Sequence, residues 1–168
     1  MTLFQGFLFA HILGAIIAFG PTFSFPIIGR LGAQEREHAN FATRLSKRLA
    51  AVQVAPFAIL QGITGVALIV TGNIDVMAKA WLMVAIVLYL VALGYAFLVQ
   101  TPTIKKVIAM TSGGPPAGAP SGVPSGGAPA GGPPPELMKL VRRVQLGGMF
   151  LMALIVTIVF LMVVKPGN

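Results

Sequence analysis

The side chains best suited to chemistry in this 168-residue chain lie inside segments that are otherwise apolar. His11 is the only histidine in such a segment, and an imidazole can ligate a metal or carry a proton. At about 1.5 Å per helical residue, each segment places a polar side chain about 10–15 Å below the same membrane face. We therefore predict one intramembrane polar layer. Its members are His11, Gln61, Thr64, Tyr89 and Thr157.

Two interpretations of this polar layer stay open from the sequence. A polar group in hydrocarbon without a partner costs several kcal/mol, so these side chains should turn inward and bond to one another. The layer would then set the register of the helices, and we favour this role for the glutamine, the threonines and the tyrosine. For His11 we weigh a binding site evenly against it, because an ionisable residue at membrane depth is a functional hypothesis by default.

The residues that could hold a cofactor or metal are few. The chain has no cysteine, which excludes disulfides, thiolate zinc sites, iron–sulfur clusters and covalently attached c-type haem. Haem b or a metal would have His11 as its only deep histidine ligand. A second ligand would then be a methionine, although methionines in apolar segments are ordinarily packing residues. The candidates are Met83, Met149 and Met152.

Four long apolar runs must position these side chains. They span 3–29, 51–71, 81–99 and 144–164, and about 20 helical residues cross a hydrocarbon core. Only 10% of the residues are charged, against about one quarter in a soluble domain. The first run holds no Lys or Arg, so we interpret it as a retained helix and not a signal peptide. We predict an all-α fold in which residues 1–168 form a single transmembrane domain, a bundle of four helices.

Small residues predict that the four helices pack into one bundle. They recur at every fourth position of the first run, and the other runs also carry them. Such stripes let helix backbones approach closely, and packing is a main force joining helices in lipid. These faces could also serve a partner helix. In the first run the stripe consists of Gly6, Ala10, Gly14, Ala18 and Thr22.

The basic residues predict how the bundle is oriented. The net charge is +8, and ten of the twelve Lys and Arg lie in the connections after the first and third runs. Cytoplasmic loops carry such an excess, so both termini and the 72–80 turn should lie outside the cytoplasm, with the chain in a cell inner membrane. Because these residues flank helix ends, we expect them to bind anionic lipid headgroups and not nucleic acid. The headgroup candidates are Arg44, Lys47, Arg48, Lys105, Lys106, Lys139, Arg142 and Arg143.

The two basic connections differ in composition. Residues 112–135 contain eight glycines and eight prolines and cannot bury a core, so we predict a disordered linker between the third and fourth helices. In the other connection Phe41, Leu45, Leu49 and Val52 recur at helical spacing. This pattern predicts an amphipathic helix that enters the second run along the cytoplasmic surface.

The sequence Phe9-Ala10-His11-Ile12-Leu13-Gly14-Ala15 resembles the first helix of an uncharacterised bacterial family of predicted integral membrane proteins. That family is similar in architecture to copper-resistance-D-like proteins and to membrane protoporphyrinogen oxidases, which bind b-type haem. The resemblance implies a bundle of about four helices that opens with a histidine. The chain departs from the haem-binding oxidases, which have a lysine near this histidine and a further histidine in a later helix. Here Leu8 precedes His11 by three residues, and the third run holds Tyr89 and no histidine.

Three functions follow as hypotheses. The first is a multi-pass membrane protein with an accessory or structural role and no catalysis of its own, in contact with the bilayer and with a membrane-protein partner or a second copy. The alternative is a haem-b or metal-binding redox protein that uses His11. A small-molecule permease is weaker, because all four carboxylates lie outside the apolar runs and coupled carriers usually keep one at membrane depth.

Overall fold

The computed structural model describes residues 2–111 and 134–167, and within these ranges it has helices and no strand. Four helices are long and apolar enough to cross a membrane, which confirms the predicted all-α transmembrane fold. Of the linker predicted over 112–135, residues 112–133 lie outside the described residues, and Pro135 begins the last helix. The helices are α1 (Leu3–Gln34), α2 (Ala39–Thr71), α3 (Ala80–Thr111) and α4 (Pro135–Val164).

All four helices continue past their apolar runs, and they do so at the same end of the bundle. A helix of 32 residues, the length of α1 and α3, is about 48 Å long, against about 30 Å of hydrocarbon. Backbone hydrogen bonds continue wherever the residues favour a helix, so the helix ends are not set by the apolar run. The predicted amphipathic helix before the second run is confirmed as the first part of α2, Ala39–Leu49.

Two wide π turns keep α2 and α3 continuous where prolines would otherwise break them. The π segments are Ala50–Val54 in α2 and Ala96–Gln100 in α3, and each ends two residues before a proline, Pro56 or Pro102. A proline ring in a helix clashes with the carbonyl four residues earlier, and that residue lies inside the π segment in both cases. The wider turn gives the ring room without ending the helix. In α3 the Thr101 hydroxyl also donates to the backbone carbonyl of Ala96 at 2.8 Å.

Small residues form the centre of the bundle. Ala18 of α1, Ala58 of α2 and Ala85 of α3 are buried, and no large side chain is completely buried among the described residues. Gly32 and Ala42 mark the closest approach of α1 and α2, since a Cβ on Gly32 would lie 2.8 Å from the Ala42 Cβ. α1 packs along the whole of α2, α4 packs along α3, and α1 also contacts α4. Many large apolar side chains are exposed on the outer surface of the bundle, where lipid would surround them. The buried ones among the described residues are Trp81, Leu82, Val107 and Ile155.

The helix ends meet in two groups, as an up-and-down bundle requires. At one end, Asn40 of α2 donates to the Thr111 hydroxyl of α3 at 2.9 Å. We call this the basic end, because ten of the twelve Lys and Arg belong to the chain segments there. At the opposite end, the Lys165 ammonium group that follows α4 lies 5.8 Å from the centre of the Trp81 ring at the start of α3.

Candidate functional site

His11 of α1 is joined to Thr64 of α2 by a hydrogen bond. The His11 Nδ1 and Thr64 Oγ1 atoms lie 2.9 Å apart. The ring lies against α2 at the next residue, Gly65, where a Cβ would be in van der Waals contact with the imidazole Cε1 at 3.4 Å. Thr64 is buried and His11 half-buried, so this contact lies between the helices and not on the lipid surface.

The partners of Thr64 assign the proton on the imidazole. The Thr64 hydroxyl also lies 2.9 Å from the Leu60 carbonyl oxygen and 3.2 Å from that of Gln61. A hydroxyl has one proton, and a backbone carbonyl can only accept. All of these contacts are hydrogen bonds only if the Thr64 proton goes to a carbonyl and the His11 Nδ1–H donates to Thr64. A neutral His11 then keeps its lone pair on Nε2.

Gln61 belongs to the same interface between α1 and α2. It lies one turn before Thr64 and is 8% exposed. Its Oε1 atom packs against Gly14, which is one turn after His11, and a Cβ on Gly14 would lie 3.0 Å from that oxygen. This Oε1 is a buried acceptor without a hydrogen-bond partner among the described residues. Gly14 therefore leaves room for the polar end of Gln61 between α1 and α2.

Tyr89 joins α3 to α2 and does not contact the His11–Thr64 pair through its hydroxyl. The Tyr89 Oη donates to the backbone carbonyl of Ala58 at 2.8 Å. The ring crosses Gly62, where a Cβ would lie 2.6 Å from the Tyr89 Oη. The structure thus places His11, Gln61 and Thr64 at the contact between α1 and α2, and Tyr89 at a separate contact between α3 and α2.

Thr157 differs from the expectation that it turns inward. It is exposed, and its hydroxyl donates to the Ala153 carbonyl of its own helix at 2.9 Å. The buried face of α4 is marked by Gly147 and Ile155. Thr157 lies two residues after Ile155, which at about 100° per residue turns its side chain away from that face. A hydroxyl that bonds one turn back can face lipid without an interhelical partner.

Two glutamines that were not predicted as site residues join helices through backbone carbonyls. The Gln53 Nε2 donates to the Ile17 carbonyl of α1 at 3.1 Å, and the Gln100 Nε2 donates to the Val144 carbonyl of α4 at 2.9 Å. Both lie in the π segments or at their ends. A free amide in hydrocarbon is unfavourable. The sequence could therefore have indicated that glutamines within long helices need a partner, and this rule would have identified both residues.

The second ligands considered for haem or a metal lie away from the interior. Met83 and Met149 are 40% and 62% exposed, which puts them on the outer surface of the bundle, and Met152 is half-buried. No group of three or more His, Asp or Glu side chains converges among residues 2–111 and 134–167. Two methionines that face outward do not provide a second axial ligand beside His11, so the described side chains fit a pair of axial ligands poorly.

The headgroup candidates all belong to the basic end. Lys47 is half-buried, and the other seven are exposed. Lys47 and its neighbours lie on the amphipathic part of α2, which packs on α1 and α3. The contact with α1 is made by the small residue Ala42 against Gly32, whereas Phe41, Leu45 and Val52 are exposed. Headgroup binding by these residues stays a prediction.

Comparison with known proteins identifies one family. Residues 7–112, which cover α1 to α3, match the model of a family described as predicted integral membrane protein (DUF2269). No curated protein and no solved structure matches the chain. The comparisons do not support the more specific relation to copper-resistance-D-like proteins or protoporphyrinogen oxidases.

The contact between Gly62 and Tyr89 predicts that a methyl group at residue 62 destabilises the bundle. Gly→Ala in a helix ordinarily stabilises by up to about 1 kcal/mol. Gly62→Ala should instead lower the unfolding temperature in detergent, because the new Cβ displaces the Tyr89 hydroxyl from the Ala58 carbonyl. In a Tyr89→Phe background the same substitution should be neutral or stabilising. Circular dichroism melts of the four proteins measure this.

Gly94→Ala is the matched control, since a Cβ there meets nothing within 4 Å. It should be neutral or stabilising in both backgrounds. If Gly62→Ala behaves like Gly94→Ala in the wild-type background, the close approach of α2 and α3 at Tyr89 is wrong.

Proposed function

The chain belongs to the predicted integral membrane protein (DUF2269) family, and from this premise we propose that it is a non-catalytic, accessory component of a cell inner membrane. Its function is to hold a rigid four-helix unit in the bilayer, on which a membrane-protein partner or a second copy assembles. One observation supports this proposal above others: several polar side chains at the helix contacts bond to a neighbouring helix, although the buried Oε1 of Gln61 has no hydrogen-bond partner among the described residues.

Those bonds are cross-links of the bundle. Three of them end on backbone carbonyls, from Tyr89 to Ala58, from Gln53 to Ile17 and from Gln100 to Val144. These bonds hold neighbouring helices in position, which supports a structural role for Tyr89, Gln53 and Gln100. In lipid such bonds give about 0.6 kcal/mol each on average, and several of them specify one arrangement. His11 bonded to Thr64 belongs to the same set.

A second candidate function is favoured by the Nδ1 bond of His11. Histidines that ligate a metal nearly always donate their other ring N–H to a fixed acceptor, which sets the tautomer and the ring orientation. Thr64 is such an acceptor, and the Nε2 of His11 would be the ligating atom. Haem or a metal bound there would supply one-electron redox chemistry. Against this candidate stand the exposed methionines, Met83 and Met149.

The orientation is part of the proposal. The ten basic residues of the connections belong to one end of the bundle, and only Lys79 and Lys165 belong to the other. The positive-inside bias then puts the basic end in the cytoplasm and both termini on the other side.

The visible spectrum of the purified protein, incubated with haem and then separated from unbound haem, distinguishes the two candidate functions. The structural proposal predicts no Soret band, and a loss of about 1 kcal/mol or less of stability in both His11→Ala and Thr64→Val, because either change removes the same interhelical bond. Thr157→Val is the matched control and should leave the unfolding temperature unchanged, since its hydroxyl bonds only within α4. A Soret band in the wild-type protein that disappears in His11→Ala would establish the redox function instead.

Single cysteines test the orientation in a chain that has none of its own. Ala33→Cys at the basic end and Met77→Cys at the opposite end both place the thiol at an exposed position. In intact cells a membrane-impermeant maleimide should label Met77→Cys at once and Ala33→Cys only after lysis. The reverse order of labelling would show the opposite topology. Equal labelling of both cysteines would contradict the location in the inner membrane.

A further inference from the structure

An open groove of about 600 Å³ runs between α3 and α4 at the basic end. The α3 side provides Val91 and Tyr95. The α4 side is one helical face with two kinds of residue: Lys139, Arg142 and Arg143 come first, and Leu146, Gly147 and Phe150 follow. The groove therefore changes from cationic to apolar along the direction that leads from the membrane surface into the bilayer.

The floor of the groove is formed by close contacts between α3 and α4. Gly147 is buried, and a Cβ there would collide with the Gln100 amide and would lie 2.6 Å from the Tyr95 Oη. The Gln100 amide is held by the Val144 carbonyl at 2.9 Å. The rings of Tyr95 and Phe150 pack edge to face, with their centres 5.1 Å apart. These contacts join α3 and α4 beneath the groove and keep its apolar wall in place.

Among the described residues, no ion pair neutralises the charge at the cationic end of the groove. Within residues 2–111 and 134–167 the ion pairs involve His38 with Glu35 and Glu37, and none of them includes Lys139, Arg142 or Arg143. Glu136 is exposed and lines the adjoining groove together with Lys106 and Lys139. Arg142 and Arg143 lie one turn after Lys139 on the same helix, and like charges at this spacing repel each other unless an anion binds between them.

The spacing of charge and apolar surface matches a phospholipid. Phe150 lies seven residues after Arg143, which is about 10 Å along the helix. A glycerophospholipid places its phosphate at the membrane surface and its acyl chains immediately below, at this distance scale. Basic pockets between membrane helices on the cytoplasmic side are known to bind anionic headgroups. A free phosphate would use the cations and leave the exposed Val91, Leu146 and Phe150 uncovered.

We propose that this groove is a specific site for one anionic phospholipid. The phosphate and the negatively charged headgroup lie between Lys139, Arg142 and Arg143, and one acyl chain lies on the apolar wall formed with Leu146 and Phe150. The lipid thereby covers the α3–α4 contact at the level of Gln100 and Tyr95. This site does not depend on the role of His11, so it stands or fails independently of the proposed function.

Native mass spectrometry of the full chain in a non-ionic detergent tests the site. With phosphatidylglycerol added, we expect one lipid to remain bound, and phosphatidylcholine to bind much more weakly. At about fivefold per basic residue near an anionic lipid surface, Arg142→Gln with Arg143→Gln should weaken binding by about 25-fold. Arg44→Gln with Arg48→Gln removes the same charge from exposed positions of α2 outside the groove, and it should leave the single bound lipid in place.

The apolar half of the site has its own variant. Leu146→Trp keeps every charge but fills the wall of the groove, and it should also displace the lipid. All substituted side chains are exposed, so the unfolding temperature without lipid should stay that of the wild type, and this is measured in parallel. Equal losses in the two double-arginine variants, or equal binding of phosphatidylcholine, would reduce the site to general surface attraction. Competition by millimolar inorganic phosphate, or indifference to Leu146→Trp, would make it a phosphate site and not a lipid site.

Discussion

The structure depends on the need of every polar group in hydrocarbon to find a partner while the helix backbones approach closely. Lipid provides no hydrophobic force that would drive helices together, so contact comes from packing and from hydrogen bonds. Small residues satisfy both needs at once in this chain. Gly14 makes room for the Gln61 amide, Gly62 lies beneath the Tyr89 ring, and Gly65 lies against the His11 ring beside its bond to Thr64. His11, Gln61 and Tyr89 thus each pack against a glycine.

Much of the architecture could be predicted from the sequence because the signal is large. Four apolar runs of membrane length allow few folds other than a helical bundle. The helix ends were less predictable: the third run was placed at 81–99, whereas α3 continues to Thr111. Hydropathy reports where the hydrocarbon ends, and a helix continues for as long as its backbone bonds are favourable. The π turns before Pro56 and Pro102 depend on how each proline is accommodated, which hydropathy does not report.

The candidate site, like the fold, could be predicted from the sequence only in part. Depth along the helix could be counted at about 1.5 Å per residue, and the His11 and Thr64 side chains, which this count puts at one level, lie 2.9 Å apart. Direction around the helix depends on which face packs, and for α4 the weak pattern of small residues did not define that face. Thr157 was therefore assigned inward, although its hydroxyl is satisfied within α4. Gln100 was not predicted as a site residue, because it lies just beyond the apolar run, where a polar residue does not stand out from its neighbours.

The two proposals concern different parts of the molecule. Deeper in the membrane, α1, α2 and α3 are joined by the interhelical hydrogen bonds of His11, Gln53 and Tyr89, which supports a structural role. At the basic end, α3 and α4 share one firm contact through Gln100, and the groove above it presents unpaired cations to the headgroup region. A bound lipid would cover the α3–α4 contact at this end, so membrane composition would affect the stability of the bundle there.

The account depends most on the imidazole of His11 being a structural cross-link between α1 and α2. A double-mutant cycle with His11→Ala and Thr64→Val, measured as free energies of unfolding in a bilayer or bicelle, isolates that bond. The account predicts a coupling free energy of about 0.6 kcal/mol, and up to about 1.7 kcal/mol, in favour of the wild-type pair. Strictly additive losses would show that the two side chains do not interact, and His11 would then have to be explained by a ligand or a partner.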